Sequence, residues 1–314
     1  MMVISIESCA AEKIGYYQNM ASSYPFISWF DKNTLLHLRF PFSFYLLPIY
    51  LFALSQSDAI SWFNAIVAFL ILHFLVYPSS SGYNSYEDRD ETSIGGLKYP
   101  PKATSKLYYA TLLMDVTAVL ASMLVSVPFS LMILTFILVS RAYSYRKIRL
   151  KKYPVAGFIT AAAFQGGFTY FASMTAISGS AYLSNDTMVC MAISTLFIGG
   201  LYPLTQIYQH EADKKDGVIT ISYQLGYAGT FVFSGMLFAV ATLLLSYYFH
   251  QKQQPLNLML FYLFMFPVVH YVLAWFTKVK KDVSEANFEN TMRMNNRSSI
   301  CMNSFFFILI LKSL

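Results

Sequence analysis

Apolar stretches of roughly 20 residues, the length that a helix needs to cross a bilayer, recur along the whole chain. They fall at roughly 36–55, 60–78, 107–124, 126–143, 154–178, 187–208, 227–250, 257–277 and 297–314, which predicts about nine transmembrane helices and an all-α, polytopic membrane protein. No connecting segment is low in complexity or large enough to fold by itself. Residues 1–314 therefore read as a single membrane-embedded domain, with 1–35 as its N-terminal segment.

The connections alternate in character. Those near 56–59, 125, 179–186 and 251–256 are short and hold a single cation, Lys252. The others are longer and basic, with Arg89, Lys98, Lys102 and Lys106 in one, and Arg141, Arg146, Lys147, Arg149, Lys151 and Lys152 in the next. Lys214 and Lys215, and then Lys278, Lys280, Lys281, Arg293 and Arg297, continue the pattern. With Lys13, Lys32 and Arg39, every cation except Lys252 and Lys312 falls on one side. The positive-inside rule then places the N-terminal segment and the long loops in the cytoplasm.

Composition supports the same reading. Hydrophobic side chains make up 56% of the 314 residues and charged ones 12%, too few to clothe a water-soluble domain of this size, so the apolar surplus faces membrane lipid. The net charge of +6 does not make a nucleic-acid partner, because the cations lie between apolar runs and form no basic face. Cys9, Cys190 and Cys301 have neither disulfide-framework nor zinc-site spacing and read as packing residues. The first thirty residues hold Glu7, Glu12 and Lys13 and no short apolar core followed by a small-residue site, so no cleaved signal peptide is expected.

Two polar loops on the cytoplasmic side carry the chemistry. The first runs from Tyr83 through Asn84, Glu87, Asp88, Asp90 and Thr92 to Gly95-Gly96; Asn84 and Asp88, four residues apart, share one helix face. The second runs from Gln206 through Gln209, His210 and Asp213 to Asp216 and Gly217, and Gln209 and Asp213 repeat the spacing. Carboxylate and amide oxygens facing each other across a cavity suit Mg2+, which takes few protein ligands and accepts the rest from water and phosphate. A diphosphate completes such a site, with Lys98, Arg146, Lys147 and Lys151 in neighbouring loops to neutralise its free oxygens. Taken singly, each of these charges is also an ordinary solvated loop residue.

At these residues the chain resembles the UbiA superfamily of intramembrane prenyltransferases. Asn84 and Asp88 match the opening of that family's NxxxDxxxD motif, and Gln209-His210-Glu211-Ala212-Asp213 stands where its DxxxD motif is expected. Tyr145-Arg146-Lys147 looks like the family's Tyr-x-x-Lys/Arg region, and Arg39-Phe40-Pro41 like an Arg-Pro pattern entering the first helix. There are departures. Thr92 stands at the third acidic position of the first motif and Gln209 at the first of the second. On an ideal helix Asp90 points about 200° away from Asp88, so Asp90 compensates only if the Gly95-Gly96 pair ends the helix early. The departures mark a divergent branch.

The resemblance implies nine helices around a central cavity and a Mg-dependent transfer of a prenyl group from a prenyl diphosphate to a hydrophobic acceptor, such as an aromatic quinone precursor. It implies metal ligation by Asn84, Asp88, Asp90, Gln209, Asp213 and Asp216. Asp88, Asp213, Lys147 and Tyr145 are the expected catalytic residues, and Lys98, Arg146, Lys151 and Arg39 the expected diphosphate contacts. A terpene cyclase of the same superfamily and a membrane transporter or lipid-binding protein are the competing readings. Placement of both polar loops at span ends on one side favours the enzyme over the transporter.

Of the polar residues inside spans, Asp115 needs either a cavity or a partner helix, and Gln165-Gly166-Gly167 suits close helix packing. His73 and His270 read as core groups, while His210 lies within the second polar loop. Tyr83, Tyr86, Tyr143, Tyr145 and Tyr208 adjoin the polar loops, either as cavity walls or as interfacial anchors.

The charge asymmetry makes an orientation prediction. Cysteines introduced near positions 90, 214 and 252 are expected to be labelled by an impermeant reagent from the same side at 90 and 214 and from the opposite side at 252. Labelling of 90 and 214 from different sides would exclude a site shared by the two loops.

Overall fold

Asp31 starts the first helix: its carboxylate accepts the Thr34 N–H at 2.9 Å and caps α1 (Lys32–Leu38). The computed structural model describes residues 27–89 and 91–313, so Asp90 and Cys9 lie outside the described residues. The helix expected over 36–55 is interrupted. Arg39 adopts a left-handed backbone (φ 49°), a 3-10 turn covers Phe40–Tyr45, and α2 (Leu47–Ser55) follows. Pro41 has no N–H with which to continue an α-helix. The break turns the Arg39 guanidinium inward, where it donates to the carbonyls of Ser81 at 2.9 Å and Gly95 at 3.0 Å.

The next rod is α3 (Trp62–Leu70), a π segment (Ile71–Val76) and α4 (Tyr77–Asp88), joined end to end. α5 (Ser105–Ser122) and α6 (Val127–Ser144) form a hairpin whose second helix is capped by Ser126. A second rod with a π segment (Ala163–Phe168) joins α7 (Pro154–Ala162) to α8 (Thr169–Ser178). α9 (Asn185–Gln206) passes through a 3-10 turn (Ile207–Gln209) into the short α10 (His210–Lys215). The chain closes with α11 (Ile221–Gln251), α12 (Pro255–Lys281) and α13 (Phe288–Ser313).

Among the described residues, six segments are long and apolar enough to span a membrane: Lys32–Ser55, Trp62–Asp88, Val127–Ser144, Asn185–Lys215, Ile221–Gln251 and Pro255–Lys281. The other regions where spans were expected are helical, but they do not add to that number. α5 carries Lys106 and Asp115, and the first half of α13 is rich in Asn, Arg and Ser.

Phe52, Leu72, Phe129, Ile133, Tyr170 and Phe305 fill the centre of the bundle, all nearly inaccessible. Phe63, Ile66, Leu120, Leu138, Leu243 and Phe266 point outward, the inside-out distribution of a protein bathed in lipid. Gly166 and Gly167 fit the close-packing expectation. A Cβ on either would stand 2.6 Å from α9, against the Ser194 carbonyl or the Thr195 hydroxyl, so the π segment lies directly on that helix.

Asp115 takes the partner-helix alternative. The Ser79 hydroxyl donates to it at 2.6 Å and the Arg141 Nε at 2.8 Å, tying α5 to α4 and α6. The Arg141 guanidinium also lies over the Tyr83 ring, 3.8 Å from its centre. Asp115 is buried and Arg141 is partly so, and removing the guanidinium or the carboxylate leaves the other uncompensated at a cost of up to about 3–5 kcal/mol. Asp115→Ala is therefore expected to destabilise the protein strongly in detergent. The Asp115→Leu/Arg141→Leu double variant is expected to recover much of the loss, as measured by chemical denaturation followed by tryptophan fluorescence.

Candidate active site

The C-terminal end of α4 sets the geometry. The helix stops at Asp88 because Arg89 turns left-handed (φ 55°), its N–H returning to the Ser85 carbonyl at 3.0 Å. It thus ends before the Gly95-Gly96 pair that the sequence suggested. Gly95 serves a different purpose. A Cβ there would strike the Phe42 ring at 2.8 Å, so only glycine lets this loop lie on the turn after α1.

The last carbonyls of a helix have no partner within it. Here Arg146 supplies one, its Nε donating to the Glu87 carbonyl at 2.6 Å and its Nη2 to the Asp88 carbonyl at 3.1 Å. The Asp88 carboxylate, almost fully buried, meets Arg149 at 3.2 Å and also bonds Lys151. Arg149 continues to Asp216, bonding its carboxylate and, at 3.1 Å, its carbonyl. Burial opposes the Arg149 charge, but the Asp216 and Asp88 carboxylates outweigh it and raise the guanidinium above its ordinary pKa. One basic connection after α6 thus joins both polar loops.

On the other wall, the chain tightens after Pro203 into the 3-10 turn, which leads Gln209 and Asp213 toward α4. Asn84, Asp88, Gln209, Asp213, Lys151 and Arg39 all line one cavity of about 210 Å³. Asn84 donates to the Ser144 hydroxyl at 3.1 Å, and Gln209 to the Ser93 carbonyl at 3.3 Å. Deeper, the hydroxyls of Tyr143 and Tyr202 bond each other, and Gln206 donates to Tyr202 at 2.8 Å. Phe42, Phe136 and Phe164 supply aromatic wall.

Other expected residues stand back from this cavity. Asp216 is half-exposed and held by Arg149, with Arg146 at 3.8 Å. Lys98 is exposed and paired with Glu289. Lys147 is exposed in the turn after α6, and Tyr145 ends that helix, its carbonyl accepting the Ile148 and Arg149 N–H groups at 2.9 and 2.7 Å. His210 is buried against the Ser222 hydroxyl at 2.7 Å. Sequence reading named Arg149 and Gln206 only as loop residues, without a role in the site, and left out Tyr202 and Asn295. Arg149 stands four residues after Tyr145, and Tyr202 and Gln206 extend the face of Gln209 and Asp213 backward at helical spacing, which was a usable signal.

The donor set fits magnesium. Among the described residues no group of three or more His, Cys, Asp and Glu side chains is placed to hold a metal by itself. Two carboxylates and two amides around a cavity supply hard oxygens and leave positions for phosphate and water, which is how magnesium is usually bound.

The chain belongs to the UbiA prenyltransferase family, whose model matches residues 45–297, and membership makes it an intramembrane prenyltransferase. Its fold is similar to that of a UbiA homologue from Archaeoglobus fulgidus bound to GPP and Mg2+, with 18% identity, TM-score 0.65, and coverage of 89% of this chain and 99% of that one. The same homologue bound to Cd2+ aligns with TM-score 0.62 at 17% identity, over 89% of this chain and 99% of that one. A digeranylgeranylglyceryl phosphate synthase aligns with TM-score 0.55 at 17% identity, over 90% and 98%. No curated protein sequence matches the chain.

The Arg149 bridge is expected to hold the two polar loops together. Loss of charged hydrogen bonds of this kind costs about 1.5–3 kcal/mol. Arg149→Met should therefore speed amide hydrogen exchange by roughly 10- to 100-fold in the segments around 88 and 213–217, with α11 and α12 unchanged.

Proposed function

We propose that this protein transfers a prenyl group from a prenyl diphosphate to a hydrophobic acceptor in a Mg-dependent reaction at the cavity between α4 and α10. The observation that carries this reading is the meeting of Asn84 and Asp88 with Gln209 and Asp213 on one cavity beside Lys151 and Arg39. Asp88 and Asp213 hold the metal from opposite walls, with the Asn84 and Gln209 amide oxygens supporting them. When bound, magnesium neutralises charge on the diphosphate and makes it a better leaving group. Lys151 and Arg39 bind diphosphate oxygens, and Arg149 keeps Asp88 in place.

The carbon–oxygen bond to the first prenyl carbon breaks with its electron pair going to diphosphate. An electron pair of the acceptor forms the new bond, and the proton that the acceptor loses passes to the released diphosphate. Phe136, Phe164, Tyr143 and Tyr202 exclude water and turn π faces toward the electron-poor carbon. An aromatic quinone precursor is a hydrophobic acceptor that suits this wall. Asp216 acts through Arg149, and Arg146 through the end of α4. In this reading both polar loops face the cytoplasm, as the distribution of cations indicates, and residues 1–314 work as one domain.

Removal of either carboxylate should cost several kcal/mol of transition-state stabilisation, a fall in rate of roughly 10²-fold or more. Asp88→Asn and Asp213→Asn remove the charge but keep the side-chain volume and, at the buried Asp88 position, an acceptor oxygen for Arg149 and Lys151. In detergent, assayed for Mg-dependent diphosphate release from geranyl diphosphate, both are expected to remain monodisperse and to lose that activity. Near-full activity in either variant would remove the shared metal site. Release without acceptor, giving a cyclic hydrocarbon, would favour a cyclase over a transferase.

A further inference from the structure

The end of the bundle opposite the polar loops carries a second cavity, of about 400 Å³, where the end of α2, the connection from α11 to α12 and the end of α13 meet. Gln56, Gln253, Gln254 and Asn257 give it a polar wall, and Lys312 is the one charged group among its lining residues. Charge distribution along the chain set Lys312 and Lys252 apart from every other cation, and the structure treats the two differently. Lys252 is paired with the Asp186 carboxylate at 2.5 Å. Lys312 donates to the side-chain oxygen of Asn257 at 2.5 Å, and among the described residues no carboxylate stands within 4.0 Å of it. Asn257 is nearly buried and is itself held, its amide donating to the Gln254 side chain at 2.9 Å. The ammonium is thus tethered at the cavity and does not trail along the surface.

Two further features of the cavity have the same sense. α12 begins at Pro255 on its wall, and a helix of 27 residues presents partial positive charge at that end, with no acidic residue in the first turn to neutralise it. Leu256 also lines the cavity, and Met259 and Leu263 follow it at helical spacing on one exposed face of α12. A positive, amide-lined pocket therefore opens onto an apolar track that runs along the helix toward the middle of the bundle.

We propose that this cavity binds the headgroup of an anionic glycerophospholipid. Lys312 pairs with a phosphate oxygen, the Gln253 and Gln56 amides donate to the headgroup, and an acyl chain lies along Leu256, Met259 and Leu263. A soluble phosphate would use the polar half of the site and leave the apolar track bare. A zwitterionic lipid would bring its own cation against Lys312 and the positive end of α12, which selects against it. The site lies at the far end of the fold from Asp88 and Asp213, and the proposal does not depend on the transferase reading.

The test places the full chain in nanodiscs of dioleoylphosphatidylcholine, with or without dioleoylphosphatidylglycerol, and measures amide hydrogen exchange by mass spectrometry. A third sample has dioleoylphosphatidylcholine alone and inorganic phosphate in the buffer. Exchange across residues 252–258 is expected to slow by roughly threefold or more when the anionic lipid is present, and to stay unchanged with inorganic phosphate. Lys312→Gln keeps most of the side-chain length but loses the charge, and Gln253→Glu adds an anion at the exposed rim; each is expected to abolish the slowing. Lys252→Gln removes the neighbouring cation outside the cavity and is expected to retain it.

Equal exchange in the two lipid compositions, or slowing that persists in either Lys312→Gln or Gln253→Glu, would overturn the proposal. So would loss of the slowing in Lys252→Gln, which would make the effect one of general surface charge. If Lys312→Gln does not fold, Gln253→Glu decides the question alone, since its side chain is exposed. The same slowing with inorganic phosphate would make this a site for free anions and would overturn the lipid assignment.

Discussion

The end of α4 concentrates negative charge, and the rest of the site is arranged around that fact. The helix dipole leaves partial negative charge on its last carbonyls, and Glu87 and Asp88 add two carboxylates at the same place. Arg146, Arg149 and Lys151, all from the connection after α6, answer it: one caps the carbonyls and two hold the Asp88 carboxylate. Because Arg149 also grips Asp216, neutralising the first polar loop fixes the position of the second. On the proposed reading, a diphosphate entering the cavity meets Lys151 already paired with Asp88, so that part of its binding is an exchange of anionic partners.

Much of this was legible in the sequence, for identifiable reasons. Apolar runs of helix length and the one-sided cations led to a polytopic helical fold, because lipid leaves few alternatives to a helix. The four-residue spacings of Asn84 with Asp88 and of Gln209 with Asp213 survive in the structure as faces on one cavity. Less legible was everything that depends on how the chain bends between helices. The left-handed turns at Arg39 and Arg89 are made by arginines and not glycines, so no residue type announced them. Each is stabilised by a tertiary or capping hydrogen bond that local pattern does not reveal.

Lys98, Lys147 and Arg149 illustrate the same limit. All three are basic residues in loops on the same side, and sequence alone ranks them by motif distance. The structure separates them by burial: Arg149 lies between two carboxylates, while Lys147 is solvated and Lys98 is paired with Glu289. Asp115 shows the reverse case. An intramembrane carboxylate reads as chemistry until Arg141 and Ser79 are seen to satisfy it, and its place is then in the frame that holds α4 against α6.

The π segment at Ile71–Val76, lying between α3 and α4, has a consequence for where the site faces. A π turn accommodates an extra residue within a helix, and each residue of an α-helix advances the azimuth by about 100°. Everything downstream of it is therefore rotated relative to the lipid-facing surface of α3. The two halves of one rod thereby keep separate angular registers, with Phe63 and Ile66 turned to lipid and Asn84 and Asp88 turned to the cavity. Such a phase offset lets a single helix present lipid-facing side chains along one half and cavity-facing side chains along the other, on azimuths that an uninterrupted α-helix would not give.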